Sequence, residues 1–164
     1  MDGALSETKE LAYSLFTRRG AMKEEYINHP VKRSTGAWGR ELEGDPFLLI
    51  ANLHVAKPFR RRGRGKRMLQ SVMRKAQKQA RYYKYATVLG SFQTRSMSEK
   101  STPSSQQEGQ VISERFLRAL GYRRIGSSEY FAFAKDSTHP SRSLSSSDDY
   151  QRPLALRCPP WDIN

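Results

Sequence analysis

Leu53-His54-Val55-Ala56-Lys57-Pro58-Phe59-Arg60-Arg61-Arg62-Gly63-Arg64-Gly65-Lys66-Arg67-Met68-Leu69 reads as a buried strand, a tight glycine loop and a helix that begins inside that loop. A helix start leaves backbone N–H groups without intrahelical partners, and the helix dipole adds partial positive charge there. Glycine allows the backbone to turn sharply and to approach a ligand closely. Such a corner is a cradle for a pyrophosphate. The arginines and the lysine around Gly63 and Gly65 add charge attraction.

Two other glycine loops are excluded by spacing. A phosphate-binding loop of the G-x-x-x-x-G-K-[ST] type needs its glycines five apart and a hydroxyl after the lysine. Here Gly63 and Gly65 are two apart and Arg67 follows Lys66. A dinucleotide fingerprint, G-x-G-x-x-G, fails at its third glycine, where Met68 stands. What remains is Arg60-x-x-Gly63-x-Gly65 between a strand and an amphipathic helix.

That arrangement resembles the GNAT superfamily of acyl-CoA-dependent N-acyltransferases, whose motif is [QR]-x-x-G-x-[GA] in the same strand–loop–helix setting. A second stretch, Ser113-Glu114-Arg115-Phe116-Leu117-Arg118-Ala119-Leu120-Gly121-Tyr122, is similar to the family's later helix, which ends in a Leu-Gly-[FY] step into the next strand. The resemblance covers roughly residues 47–135. It implies an α+β or α/β fold of the GNAT-like type, a mixed central sheet flanked by helices, with two central strands that splay apart.

The resemblance also implies a site. The pantetheine arm of acetyl-CoA would lie between the splayed strands, paired with the backbone of Leu53 and Val55. The Val55 N–H would polarise the thioester carbonyl, which is oxyanion stabilisation by a fixed donor. Arg60, Arg61, Arg62, Gly63, Arg64, Gly65 and Lys66 would hold the pyrophosphate. The attacking amine must lose a proton. His54 is the only imidazole on that strand, and residues 47–59 contain no carboxylate. An imidazole of ordinary pKa could serve as the base, and a structural histidine is the plainer alternative. Direct transfer needs neither a protein nucleophile nor a metal.

Three departures from the family pattern stand out. The position from which many members protonate the leaving thiolate with a tyrosine is Leu117. Seven residues earlier on the same helix, Gln110 stands where asparagine is common. Tyr130 is a weaker candidate acid. Only 46 residues precede the glycine-loop strand, several tens fewer than the family fold usually places there, so a shortened acceptor side is expected. Glu41, Glu43 and Asp45 could attract a cationic amine or form a solvated turn. Trp38 could line the acceptor pocket, and an apolar anchor is its plainer role.

The formal charge is +13 over 164 residues, and residues 57–84 hold twelve Lys or Arg and no Asp or Glu. Such a block attracts polyanions, whether nucleotide phosphates, nucleic acid or an acidic membrane; its plainer reading is a solvated helix face. No aromatic platform of the kind that stacks bases is interleaved with it. The single Cys158 excludes an intramolecular disulfide and a cysteine-ligated zinc site. The N-terminus lacks the pattern of a signal peptide and no apolar run reaches ~18 residues, so an intracellular protein, cytoplasmic or nuclear, is expected.

Periodicity divides the chain into an N-terminal helix and loop (1–46), a core (47–135) and an extended or disordered tail (136–164). Within these, helices are expected at 5–18, 64–81 and 111–120. Strands are expected at 47–55, 85–92, 122–125 and 130–135, with a short one near Ala37-Trp38. Residues 93–110 read as a flexible insert. Met68, Leu69, Val72, Met73, Ala76 and Ala80 form the apolar stripe of one helix, and Val111, Ile112, Phe116 and Leu120 the inward face of another. The leading functional expectation is an N-acetyltransferase acting on a primary amine. The rivals are a catalytically inactive CoA-binding relative and a basic nucleic-acid-binding module.

Overall fold

The computed structural model describes residues 3–51, 53–79, 83–89 and 103–151. Helix α1 (Gly3–Leu15) is followed by two single-turn helices, α2 (Glu24–Ile27) and α3 (Glu41–Gly44). Strand β1 (Phe47–Ile50), a 3-10 turn at Lys57–Phe59, helix α4 (Arg64–Gln79) and strand β2 (Tyr85–Leu89) form a βαβ unit. Helix α5 (Pro103–Ala119), strands β3 (Arg123–Arg124) and β4 (Tyr130–Ala134), and a last turn α6 (Pro140–Ser143) complete the described chain.

The four strands make one mixed sheet in the order β1-β2-β4-β3. β1 and β2 are parallel, with Phe47 opposite Tyr85 and Ile50 opposite Val88. β2 and β4 are antiparallel from Tyr85–Ala134 to Leu89–Tyr130. Each face of the sheet carries its own apolar cluster, as the two-residue alternation of strand side chains requires. One cluster joins Leu11, Leu15, Met22, Trp38 and Leu42 to Tyr85, Tyr130 and Ala132. The other joins Leu69 of α4 and Leu117 of α5 to Ile50, Leu53, Ala86 and Phe131. Helices therefore cover both faces, and the segment before residue 47 shares the core. Trp38 is the anchor expected of it: its Nε1–H donates to the Arg123 carbonyl at 3.1 Å and its ring meets Tyr85 edge-on. No strand forms at Ala37-Trp38.

Several boundaries differ from the sequence expectation. β1 stops at Ile50 instead of Val55, because beyond that point the chain leaves the ladder; residues 53–56 belong to no strand. α1 ends at Leu15, three residues early. Helix α5 begins at Pro103, so residues 103–110 are helical where a flexible insert was expected; proline at a first helical position is favourable, since its missing N–H has no partner to lose. Residues 93–102, with Ala80, Cys158 and the chain after Gln151, lie outside the described residues.

The largest correction concerns the tail and the inward face of α5. Residues 136–151 are not an extended tail but a strap packed on α5 and β3. Asp149 is almost wholly buried and accepts from Arg118 Nε at 2.8 Å and from the Arg124 backbone N–H at 3.1 Å. The Tyr150 carbonyl accepts from Arg118 Nη2 at 2.8 Å. Glu114 reaches Arg124 Nη2 at 2.7 Å and Arg118 Nη1 at 3.5 Å. The side of α5 facing the strap is thus polar, carrying Glu114 and Arg118, while Ile112 is 43% exposed. Burial pulls the Arg124 guanidinium down from its ordinary pKa, and Glu114 beside it opposes that shift.

Candidate functional site

The stretch from Leu53 to Lys66 wraps one side of an open cavity of about 680 Å³. Its shape follows from the backbone. Gly63 has φ +71°, a left-handed conformation that side-chain-bearing residues seldom adopt, and Arg61 is held at φ +60°. With Arg62 between them, the chain alternates handedness, which turns successive N–H groups toward one side as an anion-binding nest does. α4 then starts at Arg64. The Arg67 N–H closes back on the Gly63 carbonyl at 3.2 Å. Among the described residues, the amides of Arg64, Gly65 and Lys66 have no hydrogen-bond acceptor within the chain. They are the orphan donors of a helix start, and they lie at the cavity.

The two glycines do different work. A Cβ added to Gly63 would meet nothing within 4 Å, so that position is open space constrained only by its φ. A Cβ on Gly65 would lie 3.2 Å from Phe116 Cζ and 3.6 Å from Val55 Cγ2. Gly65 therefore lets α4 approach both α5 and the segment that follows β1.

Leu53, Val55, Arg60, Arg61, Gly63, Arg64, Gly65 and Lys66 all line the cavity; Arg62 and His54 do not. Leu53 is buried, Val55 half-buried and His54, between them, exposed. The arginines are not equivalent. Arg60 is turned inward and donates through Nε to the Val55 carbonyl at 2.7 Å, closing the loop on itself. The Arg64 guanidinium lies over the Phe59 ring, 4.6 Å from its centroid. Arg61, Arg62 and Lys66 are exposed and have no acidic partner among the described residues.

Sequence reasoning missed the far wall. Ile112, Arg115 and Phe116 of α5 and Phe59 of the 3-10 turn complete the lining. The signal was present, since Ile112 and Phe116 are four residues apart on one helical stripe. Phe116 and Leu120 of that stripe pack against the core as expected, while Ile112 reaches only the cavity and stays exposed. Leu117, next to Phe116, is fully buried in the core.

The remaining candidates have structural partners. Tyr130 is buried in the cluster on the opposite face of the sheet. Burial holds the Tyr122 phenol well above its ordinary pKa, and its hydroxyl lies 3.7 Å from Met73 Sδ. Gln110 donates to Glu114 at 3.2 Å. Glu41 accepts from the Gly39 N–H at 2.8 Å and lies 3.3 Å from His139 Nε2. Glu43 accepts from the Met22 N–H at 3.1 Å, and Asp45 pairs with Lys84 at 2.8 Å. These carboxylates are committed to holding the N-terminal segment and β2 in place. No described helix is long and apolar enough to cross a membrane.

Chemically, a cavity of this size suits a cofactor-sized ligand. Its donors are main-chain amides and cations, a set that fits a diphosphate and offers nothing to a cation. Comparison with known proteins matches residues 33–98 to the acetyltransferase (GNAT) family. Neither a curated protein nor a solved structure matches the chain. The matched segment contains β1, the glycine loop, α4 and β2, the unit that builds the cavity's near wall. The mixed sheet flanked by helices and the glycine loop that opens α4 agree with this match, by which residues 33–98 are similar to the acetyltransferase (GNAT) family.

Proposed function

We propose that the chain is an N-acyltransferase that takes acetyl-CoA as its acyl donor and a primary amine as acceptor. The observation that carries this reading is the row of unbonded amides at Arg64, Gly65 and Lys66, opening on a cavity whose other edge is the segment leaving β1. Acyl-CoA would supply an activated thioester. Everything else falls to the chain. The amides and Arg61 and Lys66 hold the diphosphate. Leu53 and Val55 would offer backbone groups to the pantetheine amides, and the Val55 N–H would polarise the thioester carbonyl. Val55 suits that role because Arg60 fixes the carbonyl of the same residue. Holding donor and acceptor in attacking geometry is the main contribution such a site makes.

The base is the less developed half of the proposal. His54 is solvent-exposed on the side of its segment away from the cavity lining, so it would pass a proton through water to bulk solvent. Leu117, buried where many relatives present a tyrosine, favours a second reading in which the chain binds CoA without transferring the acyl group. Isothermal titration with CoA, followed by thiol release from acetyl-CoA over a panel of amines, separates the two. Micromolar binding with release that disappears in Gly63→Val is the expected result. Binding without release on any amine would establish the second reading, and no binding by folded protein at millimolar ligand would remove both.

A further inference from the structure

The two edges of the sheet are finished differently. β3, at one edge, is closed by the strap, where Asp149 accepts the Arg124 backbone N–H at 3.1 Å. β1, at the other, reads Phe47-Leu48-Leu49-Ile50 and carries no charge and no proline. An edge strand presents a row of N–H and C=O groups away from its neighbour. Among the described residues no backbone hydrogen bond reaches β1 from that side. Apolar groups stand on both faces of this edge. On one face Phe47 and Leu49 open on a groove of about 790 Å³, whose other wall includes Leu11, Phe16 and Leu42. The Phe47 ring stacks on Phe16 with centroids 6.1 Å apart. On the other face lies α4. Its Gln70 and Arg74 turn toward Leu120 and Phe133, on the β4 side of the sheet. At about 3.6 residues per turn, Met68 and Val72 fall on the opposite flank of that helix, toward β1. They are 42% and 41% exposed.

We infer that the β1 edge takes an extended segment of a partner protein as an added strand, apolar at its centre and flanked by carboxylates. The site is separate from the proposed acyl-CoA cavity, since the two share no lining residue. Three features select that occupant. Main-chain donors and acceptors along a sheet edge are matched by another strand, and neither a nucleic acid nor a lipid surface offers such a ladder. The side chains of an added strand alternate between faces, so apolar residues meet Phe47 and Leu49 on one side and Met68 and Val72 on the other. Charge decides the rest. Arg18 on the groove and Lys75, one turn beyond Val72, are exposed and have no acidic partner among the described residues. The groove's own carboxylates are already matched, Glu43 by Arg40 and the Met22 N–H and Asp45 by Lys84. The formal charge of +13 opposes pairing of this edge with a second copy of the chain.

The test is fluorescence anisotropy of the full chain with a labelled octapeptide, four valines between two pairs of glutamates, at low salt. Saturable binding is expected, with slowed hydrogen exchange at the outward amides of β1 in the bound state. N-methylation of the four valines removes the donors that face the edge and should weaken binding by roughly tenfold or more. Lysine in place of the glutamates should weaken it as well. Val72→Glu, at an exposed position outside the acyl-CoA cavity, should keep the parent's urea midpoint and bind the peptide roughly tenfold more weakly. Its affinity for CoA by calorimetry should equal that of the parent, so a failure here is distinct from a failure of the acyltransferase reading. No binding by folded protein at millimolar peptide, or equal binding of the N-methylated peptide, would overturn the inference. So would slowly exchanging outward amides in the free monomer, or a dimer in sedimentation that Val72→Glu dissolves.

Discussion

Arginine is used in two opposite ways in this molecule. Beneath α5, Arg118 and Arg124 are withdrawn from water and almost fully paired, with Glu114, Asp149 and the Tyr150 carbonyl around them. In the loop and helix from Arg61 to Lys78, cations stand in solvent with no acidic partner among the described residues. The first group ties two segments of chain together and is worth most to stability. The second has no such pairing: its cations are offered to solvent, apart from Arg64 over the Phe59 ring and Arg74 on the Gln70 carbonyl. The difference between them can be attacked by mutation from either end.

The buried group gives the largest expected effect. Removing one member leaves an uncompensated charge in a low-dielectric environment, which costs about 3–5 kcal/mol. Asp149→Ala should lower the unfolding free energy by that amount in a urea titration, while Arg62→Ala, exposed and unpartnered, should change it by no more than about 0.5 kcal/mol. A loss below about 1 kcal/mol for Asp149→Ala would mean that the strap does not hold α5. The same helix carries Ile112, Arg115 and Phe116 into the cavity. Asp149→Ala protein that remains folded at low temperature should therefore bind CoA more weakly, although Asp149 does not line the cavity.

The glycine loop comes next. Valine at Gly63 must adopt φ near +71°, a strain of about 1–3 kcal/mol, and its side chain would enter the space offered to the diphosphate. Gly63→Val should thus cost modest stability and at least tenfold in CoA affinity. Gly65→Ala tests a different contact. A methyl group at 3.2 Å from the Phe116 ring forces a small shift, and alanine's better helix propensity, up to about 1 kcal/mol, works the other way. Its net stability change should lie within about 1 kcal/mol of zero. Arg61→Gly separates charge from strain. Relief of the left-handed conformation, about 1–2 kcal/mol, offsets glycine's extra chain entropy, so stability should hold or rise while CoA affinity falls a few-fold.

The sequence made the exposed group legible and hid the buried one, for a physical reason. The glycine loop is local: its helix start, its turn and its charges lie within fifteen residues and can be read from spacing alone. The apolar stripe read on α4 is only half right: Leu69 is buried and Met73 packs against the core, while Met68 and Val72 are exposed. The buried cluster joins Glu114 and Arg118 on one helix to Arg124 on a strand and Asp149 far along the chain. Each of these alone looks like a solvated residue, and the Ser- and Asp-rich composition of 136–151 looks like a tail. Only the tertiary pairing turns that composition into a packed strap. The cavity's far wall was half legible, since Ile112 and Phe116 announced an apolar stripe but not what it faces. His54 was chosen by residue type; the structure lines the cavity with Leu53 and Val55 and leaves His54 exposed outside it.

The smallest effect sharpens the comparison furthest, because its sign is unusual. Removing a cation from a protein usually removes a partner from something. Arg74 and Lys78 lie one helical turn apart with like charge, an arrangement that costs about 0.2–0.5 kcal/mol. Glutamine keeps nearly the same helix propensity as arginine, so Arg74→Gln should raise stability by that amount at low ionic strength. Salt at 1 M, with a screening length near 3 Å, should erase the gain. Arg118→Gln should instead destabilise by several kcal/mol at either salt concentration, because Glu114 and Asp149 are shielded from solvent and so from screening ions. If Arg74→Gln lowered stability at low salt, the α4 cations would have internal partners after all and would belong with the buried cluster as part of what holds the fold together.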